Sequence, residues 1–340
     1  MNIVEMTRRK NAGFSLVELM IALLLGLFII GGVISVFLSS RVAYQQNENL
    51  GRMQENGRYA FEILGRDLRE AAGIPCGSNV PTANVLNNAA TNWWSNWSDG
   101  IHGYEGTETL PAKAIGTATT ERITGTDAVM IHSSTQGNAV VITDHDPAAA
   151  QFKVNTTAHG LVDGDVVLAC DYKQAAIFQI TSASSSNVTL VHNTGNSVAP
   201  GNCSKGLGYP TVCTTNGTAY TFENRGLITK LFAKAWYVGV NPRGGRSLYQ
   251  ISLTRSGSNA ATVTEEVVEG VTDLQIQYLA KDGSGNLPVS YVDASSVTDW
   301  TLVVGARIVF TLQSLENVGT GGAALTRTWN TVITLRNRNL

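Results

Sequence analysis

The sequence predicts an α+β fold, in which one long N-terminal helix packs on a large, mainly antiparallel β domain. An apolar stretch near the N-terminus and the amphipathic pattern that follows it indicate the helix. Beyond residue 126, short apolar runs rich in β-branched residues alternate with turn residues, and no segment of helix length separates them. Consecutive strands without a helical crossover are expected to pair antiparallel.

The first half of the predicted helix is long enough to span a membrane. Residues from Leu19 to Leu38 are apolar apart from Ser35, and at about 1.5 Å per residue they cover about 30 Å, the thickness of a bilayer core. The basic residues before them, Arg8 to Lys10, are expected to stay in the cytoplasm. The sequence therefore predicts a single membrane span with the rest of the chain outside.

Two simpler interpretations of this segment remain at this point. A secretory signal peptide has a shorter apolar core and a small-x-small cleavage site, whereas Phe37 to Ser40 form a poor one. A plain signal anchor fits the length equally well. Neither explains Glu18, because a carboxylate deep in a bilayer costs roughly 2.5–3.5 kcal/mol. A capping box between Ser15 and Glu18 would account for its tolerance at a helix start.

The helix is predicted to continue beyond the membrane as an amphipathic segment. Apolar residues recur at spacings of three and four between Leu50 and Ala71, with charged residues between them. We expect the apolar stripe to dock on a sheet. Gly73 and Pro75 end the pattern, and a helix over residues 15–72 would be about 85–90 Å long.

An irregular region with short strands is predicted for residues 74–126. It contains Trp93, Trp94 and Trp97, which are expected to be buried under the loop, with binding of a sugar or a partner protein as the alternative. The β-rich domain is expected to span residues 127–340. Its predicted strands cover residues 127–132, 139–143, 151–154, 165–170, 176–180, 187–192, 231–240, 247–254, 273–279, 306–312 and 329–336, and the residues between 240 and 247 predict a hairpin.

The composition is typical of an exported β protein. Charged residues are 15% of the chain and the net charge is −2, so no global charge attracts it to nucleic acid. Removal of residues 1–13 takes away three basic residues and one acidic residue and lowers the net charge from −2 to −4. Nucleic acid is therefore an unlikely partner.

The four cysteines predict two disulfides. An even number in an exported chain indicates disulfide pairing. Cys203 and Cys213 are close in sequence and flank a loop rich in Gly and Pro, which favours that pair and leaves Cys76 with Cys170. A zinc site is disfavoured because no CxxC motif or neighbouring His is present.

No catalytic motif was found, and no cofactor, metal or enzymatic activity is expected. The sequence has no GxSxG, HExxH, P-loop or dinucleotide-binding motif in a suitable context, and the five histidines lack ligand spacing. Three polar clusters are interpreted as turns or loops rather than metal or phosphate sites. They are residues 144–146, 159–165 and 282–286, and the glycine-rich residues 319–322 are interpreted likewise.

The N-terminal string GFSLVELMIALLLG, behind a short basic leader, resembles the class III signal of type IV pilins and type II secretion pseudopilins. The resemblance implies that a prepilin peptidase cuts between Gly13 and Phe14 and that the new N-terminal amine of Phe14 is methylated. It also implies that Glu18, fifth in the mature chain, pairs with the N-terminal amine of a neighbouring subunit. Major pilins commonly carry a proline in this helix, and its absence here favours a minor subunit.

The C-terminal third resembles the PilW type of minor pilin, which is related to the J-type pseudopilins. The matching stretches are residues 267–278, 305–312 and 332–338, with residues 170–181 similar to the same group. The resemblance implies a minor pilin that helps to initiate type IV pilus assembly and sits at or near the tip, with roles in adhesion and twitching motility. Implied partners are prepilin peptidase, other minor pilins, the major pilin and a tip adhesin.

The predicted organisation is a leader over residues 1–13, a helix over residues 14–73 with its span at 14–38, the loop region and the β domain. The chain is expected in the bacterial inner membrane with its N-terminus cytoplasmic, and then in a surface filament. The alternatives are a minor pseudopilin of a type II secretion system, or a surface adhesin or DNA-uptake pilin.

Overall fold

A computed structural model describes Gly13 and residues 15–77, 80–97, 99–134, 139–195 and 197–338. Residues 1–12 of the predicted leader and Phe14, the predicted site of N-methylation, lie outside the described residues. The chain divides into two compact units. One contains residues up to Arg52 together with Ser314–Leu325, and the other contains Met53–Gln313 together with the residues from Thr326 onward.

The predicted N-terminal helix is confirmed as α1, Leu16–Glu70. Its sequence contains no proline and carries Glu18 in the first turn and Arg69 in the last turn, the charge arrangement that the helix dipole favours. The helix ends two residues before the predicted boundary, because Ala72 adopts a left-handed backbone with φ 57°. Such a residue closes a helix at its C-terminus.

The β part is confirmed as mainly antiparallel. In the part of the chain that the structure describes, its strands are β1 Thr82–Asn84, β2 Ile101–Tyr104, β3 Ala128–Ser134, β4 Val140–Asp146, β5 Gln151–Val154, β6 Val166–Cys170, β7 Ala175–Gln179, β8 Ser182–Ala183, β9 Thr189–Val191, β10 Leu227–Val240, β11 Arg246–Ser256, β12 Asn259–Glu269, β13 Val271–Ala280, β14 Val292–Asp293, β15 Val303–Gln313 and β16 Thr326–Thr334. Short 3₁₀ turns occupy Ala294–Ser296, Trp300–Leu302, Thr320–Gly322 and Arg336–Arg338.

Strand β10 organises the larger, twelve-stranded sheet. The first four residues of β10 pair with β6, and two of them also pair with β4. The rest of the strand pairs with β3 on one side and β11 on the other. Beyond these strands the sheet continues through β7 to β1 and through β5 and β9 to β8, with β2 beside β3 and β12 beside β11. Every pair is antiparallel except β1 with β7.

The smaller sheet has the order β14-β13-β15-β16, and the second half of α1 packs against it. Phe61 lies 6.4 Å from Phe310 of β15, measured between ring centroids. Gly57 faces Trp329 of β16 so closely that a Cβ at position 57 would stand 2.7 Å from the indole. Met53, Ala60, Leu64 and Leu68 are buried, so the predicted apolar stripe is the face that docks.

The strand predictions were wrong in several places. Residues 144–146, interpreted as a turn, belong to β4, where His145 is buried between two exposed aspartates. A register shift between Ile142 and Asp144 breaks the period-two alternation, so two exposed residues precede the buried histidine. The two-residue strands β8 and β14 were also missed, because they are too short to show a period. The eleven-residue β12 was missed because it is largely exposed and pairs only with β11.

Candidate processing and assembly site

The capping box at the start of α1 is the best-defined feature of the N-terminal segment. Ser15 donates from its backbone N–H and its hydroxyl to Oε2 of Glu18, at 3.0 and 3.1 Å. The backbone N–H of Glu18 donates in return to Oγ of Ser15, at 3.2 Å. The carboxylate therefore satisfies free N–H groups at the positive end of the helix dipole. Within the described residues, Oε1 of Glu18 receives no hydrogen bond.

The apolar half of α1 exposes all of its large side chains. From Leu16 to Leu38 their exposed fractions range from 52% to 82%, and α1 is long and apolar enough to cross a membrane by length and composition. A helix satisfies its own backbone polar groups, so such a surface is compatible with lipid. The glycines at 26, 31 and 32 have no neighbouring atom within 4 Å of an added Cβ. The segment fits anchoring in an inner membrane.

Beyond the apolar stretch, α1 contacts the loop between β15 and β16. The amide of Gln46 donates to the carbonyl of Val318 at 2.6 Å. Asn49, which is buried, donates to the carboxylate of Glu316 at 3.4 Å. The glycine-rich residues 319–322, interpreted from the sequence as a loop, form part of this segment and include a 3₁₀ turn.

A buried ion pair joins the second half of α1 to β10. Oδ2 of Asp67 lies 3.0 Å from Nζ of Lys234 and accepts a hydrogen bond of 2.9 Å from Nε1 of Trp236. The Asp67 side chain is 5% exposed and that of Lys234 is 17% exposed. Burial raises the pKa of the Asp67 carboxyl, and the attraction of the Lys234 ammonium opposes that shift. The pair is a specific polar link between α1 and β10.

Both disulfides join the cysteines that the sequence favoured. Cys76 is bonded to Cys170 across 94 residues, and Cys203 to Cys213 across 10. The first disulfide ties the segment after α1 to the last residue of β6. The second closes a loop in which Leu207 is buried in the core and Tyr209 is exposed.

The region predicted to be irregular is ordered around Arg122. This fully buried guanidinium donates to the carbonyls of Tyr104, Glu105, Glu108 and Thr126. Burial lowers its pKa, although nearby carboxylates oppose the shift. No sequence pattern indicates this role, since the four carbonyls belong to backbone that only the fold brings together. Trp94 is buried as expected, whereas Trp93 and Trp97 are half-buried.

Two further groups of buried ionisable residues lie in the β domain. Asp127 accepts a 2.8 Å hydrogen bond from the backbone of Ile276, and burial raises its pKa to about 7. His145 and His192 meet with their Nε2 atoms 3.3 Å apart, and burial lowers their pKa values to about 4 and about 3. The two histidines are 47 positions apart, so no spacing rule could pair them. In the part of the chain that the structure describes, no three His, Cys, Asp or Glu residues could hold a metal ion.

The other polar clusters form turns, as interpreted. Asp282 accepts backbone bonds from Ser284 and Asn286, in the connection between β13 and β14. Asp165 accepts one from Val162 and also lies 2.8 Å from Nζ of Lys230. The Asp282 carboxylate is bound by its local turn, whereas that of Asp165 also forms an ion pair with β10.

Comparison with known protein families identifies two regions of the chain. The model of the prokaryotic N-terminal methylation motif matches residues 8–34, which include the end of the leader and the apolar start of α1. The model of the Type IV Pilus-assembly protein W, PilW, matches residues 235–336, from β10 to the end of β16. No curated protein matches the chain. Both families are structural rather than enzymatic, and together the two matches support a type IV pilus minor pilin of the PilW type.

Proposed function

We propose that the chain is synthesised as a precursor, cut between Gly13 and Phe14 by a prepilin peptidase, and methylated on the Phe14 amine. Support comes from the match to the methylation motif over residues 8–34 and from the order of its parts. A basic cluster, a glycine, a capped helix start and an apolar helix follow one another in this order within residues 8–38.

The observation that carries the assembly role is the Ser15–Glu18 capping box at the start of an exposed apolar helix. Cleavage after Gly13 leaves the Phe14–Ser15 peptide bond intact, so the Ser15 N–H can bind Oε2 in the precursor and in the mature chain. Oε1 is then left to accept from the N-terminal amine of a neighbouring subunit. In lipid, that contact would pair two charges that are each costly alone.

In the proposed topology, the N-terminus of the precursor is cytoplasmic and the β domain lies outside the inner membrane. The basic residues Arg8 to Lys10 favour this orientation. The mature subunit then enters a filament with other minor pilins and the major pilin. We place it at or near the tip, with a role in initiation and, where the filament carries one, in presenting an adhesin.

The first test is the mass of the N-terminal peptide from membranes with and without the host's prepilin peptidase. The expected peptide starts at N-methylated Phe14 and is present only with the peptidase. A start at Met1 in both strains, or a cut near Ser40, would overturn the processing step.

A clean deletion tests the place of the protein in assembly. The expected phenotype is loss of pili while the major pilin persists in the membrane. Normal piliation in the deletion strain would contradict the initiation role. Normal piliation combined with lost protein secretion would assign the chain to a type II secretion system instead.

A further inference from the structure

A small pocket in the β domain combines aromatic walls with polar side chains. It has a volume of about 210 Å³ and is lined by residues of the tryptophan-rich segment, β2 and β3. Trp93 and Tyr104 provide aromatic surface and Thr91, Asn96, Asp99 and His102 provide polar groups. Typical ligand pockets are roughly 300–1,000 Å³, so this one is suited to a single ring-sized group.

Each of the two aromatic residues packs against a neighbouring ring. Trp93 packs against His132, with 6.5 Å between ring centroids, and the backbone carbonyl of Trp93 accepts a hydrogen bond of 2.9 Å from Nε2 of that histidine. The Tyr104 ring lies 4.9 Å from that of His102, and His102 in turn lies 4.5 Å from Trp300. The walls are therefore fixed before any ligand arrives, which lowers the entropy cost of binding.

The polar groups remain accessible to solvent. Thr91 and Asn96 are exposed, and the side chains of Asp99 and His102 are 27% and 40% exposed. Together they offer hydroxyl, amide, carboxylate and imidazole groups on one rim. A ligand with several hydroxyl groups on its edge would use both donors and acceptors.

The charge of the pocket restricts the ligand class. None of the lining residues is a lysine or an arginine. His132, at the base, is neutral at physiological pH because burial lowers its pKa to about 4. Asp99 adds a negative charge, and Arg338, which lines the adjoining pocket, interacts with it electrostatically. The two formal charges cancel, so the lining has no net positive charge to attract phosphate, sulfate or sugar acids.

A second pocket adjoins the first at Asp99 and Gly100. It has a volume of about 500 Å³, and Trp97 and Tyr209 are among its lining residues. Two depressions that each have aromatic surface and that share one polar residue suit a chain of rings better than a compact cation. A quaternary ammonium group would leave the polar rim without partners.

We propose that the pocket formed by Trp93, Tyr104, Asn96, Asp99 and His102 binds one ring of a neutral saccharide, and that the adjoining pocket at Trp97 receives the next ring. The apolar C–H face of a pyranose would lie on the aromatic surface, and its hydroxyl groups would bind the rim. The site requires neither processing nor assembly, so its failure would leave the proposed function untouched.

The test uses the full chain in a polyoxyethylene detergent, because alkyl maltosides and glucosides carry the ligand class under test. Methyl glycosides and trisaccharides of glucose, galactose, mannose and N-acetylglucosamine are titrated by saturation-transfer NMR and tryptophan fluorescence. N-acetylneuraminic acid and choline serve as the anionic and cationic comparisons. We expect saturable binding of at least one neutral sugar at about 50 mM, where a site with a Kd of about 1 mM is nearly saturated.

Matched variants separate the site from general stability. Trp93→Leu is expected to weaken binding of the methyl glycoside at least tenfold, and Asn96→Ala, an exposed position, about threefold. Trp97→Leu is the control, because Trp97 also packs against His132, at 6.1 Å, but lines only the adjoining pocket. It should leave the methyl glycoside affinity unchanged and weaken the trisaccharide. No saturable sugar binding, equal binding by all variants, or preference for choline or the sugar acid would overturn the proposal.

Discussion

Asp67 of α1 and Trp236 of β10 are joined by a buried hydrogen bond of 2.9 Å, and the same carboxylate oxygen lies 3.0 Å from the Lys234 ammonium. One helix residue thus holds two consecutive polar groups of the strand that organises the large sheet. Together with the apolar contacts of Leu64 and Leu68, which are buried, Asp67 links this part of α1 to β10.

Asp67→Ala is expected to destabilise the β domain by about 3 kcal/mol, the lower end for breaking a buried ion pair. The substitution leaves the Trp236 N–H and the Lys234 ammonium without their partner, although Lys234 can partly reach water. Equilibrium unfolding of the full chain in detergent measures the effect. Glu48→Ala is the control, because Glu48 pairs with Arg52 on an exposed surface and its loss should cost less than about 1 kcal/mol. Equal losses of unfolding free energy in Asp67→Ala and Glu48→Ala would show that burial does not strengthen the Asp67 ion pair.

Gly57→Ala is expected to destabilise the same domain by about 1–3 kcal/mol, the cost of overpacking. The added methyl group would stand 2.7 Å from the Trp329 indole, which must move. Gly51→Ala is the matched control on the same helix, because no atom lies within 4 Å of its added Cβ. That variant should be neutral or stabilising by up to about 1 kcal/mol, since alanine favours helix. Thermal unfolding of both variants measures the difference. A Gly57→Ala protein as stable as the parent chain would show that the Trp329 side chain can move away at little cost.

Asp127→Asn is expected to change the pH dependence of stability. The pKa of Asp127 is about 7 in the fold against 3.8 ordinarily, so between these values the native state holds a proton that the unfolded state lacks. The contribution of Asp127 to the free energy of unfolding therefore falls as pH rises through this window. Removing it should make the slope of unfolding free energy between pH 5 and 7 more positive, by up to about 1.4 kcal/mol per pH unit.

Buried histidines act in the opposite direction in the same range. The pKa values of His132 and His145 are about 4 and that of His192 about 3. Below pH 6.5 these histidines bind protons in the unfolded chain but remain neutral in the folded one. Their contribution to the free energy of unfolding is therefore lost as pH falls. Urea unfolding at several pH values from 5 to 7 measures the slope of the unfolding free energy. The difference in slope between Asp127→Asn and the parent chain gives the contribution of Asp127 apart from that of the histidines. Glu265→Gln, at an exposed position, is the control, and parallel curves for Asp127→Asn and the parent chain would refute the assignment.

The two disulfides are expected to differ in their effect on stability. In the chain-entropy model, a loop of about 100 residues is worth about 4.7 kcal/mol and one of about 15 residues about 3 kcal/mol. Cys76–Cys170 closes 94 residues and Cys203–Cys213 only 10. Replacing the first pair by serines should therefore lower the unfolding free energy more than replacing the second. A larger loss of unfolding free energy from replacing the second pair would mean that packing of its loop in the core outweighs the chain-entropy effect.

The sequence was most informative where one pattern determines one element. The period of α1 and the alternation in strands such as β5 and β15 predicted these elements closely, because burial of one face dictates the residue type. The capping box could also be foreseen, since Ser15 and Glu18 are three positions apart and interact within one turn.

Features that depend on distant backbone could not be foreseen. Arg122 binds four carbonyls, and no residue type marks a carbonyl as an acceptor. The His145–His192 contact and the pocket beside Trp93 likewise arise from strands and loops far apart in sequence. Strand β12 escaped notice because its exposure removes the alternation that marks buried strands.

Glu18→Gln and Ser15→Ala separate the capping role of Glu18 from its charge. Glutamine can still accept from Ser15, as either residue type serves in a capping box, but it cannot pair electrostatically with an amine. Ser15→Ala retains the charge and weakens the cap by about 1 kcal/mol. We expect Glu18→Gln to lose its leader normally yet fail to enter filaments, and Ser15→Ala to enter them, as measured by leader removal and recovery in sheared pili. Incorporation of Glu18→Gln at the parental level would reduce Glu18 to a helix cap.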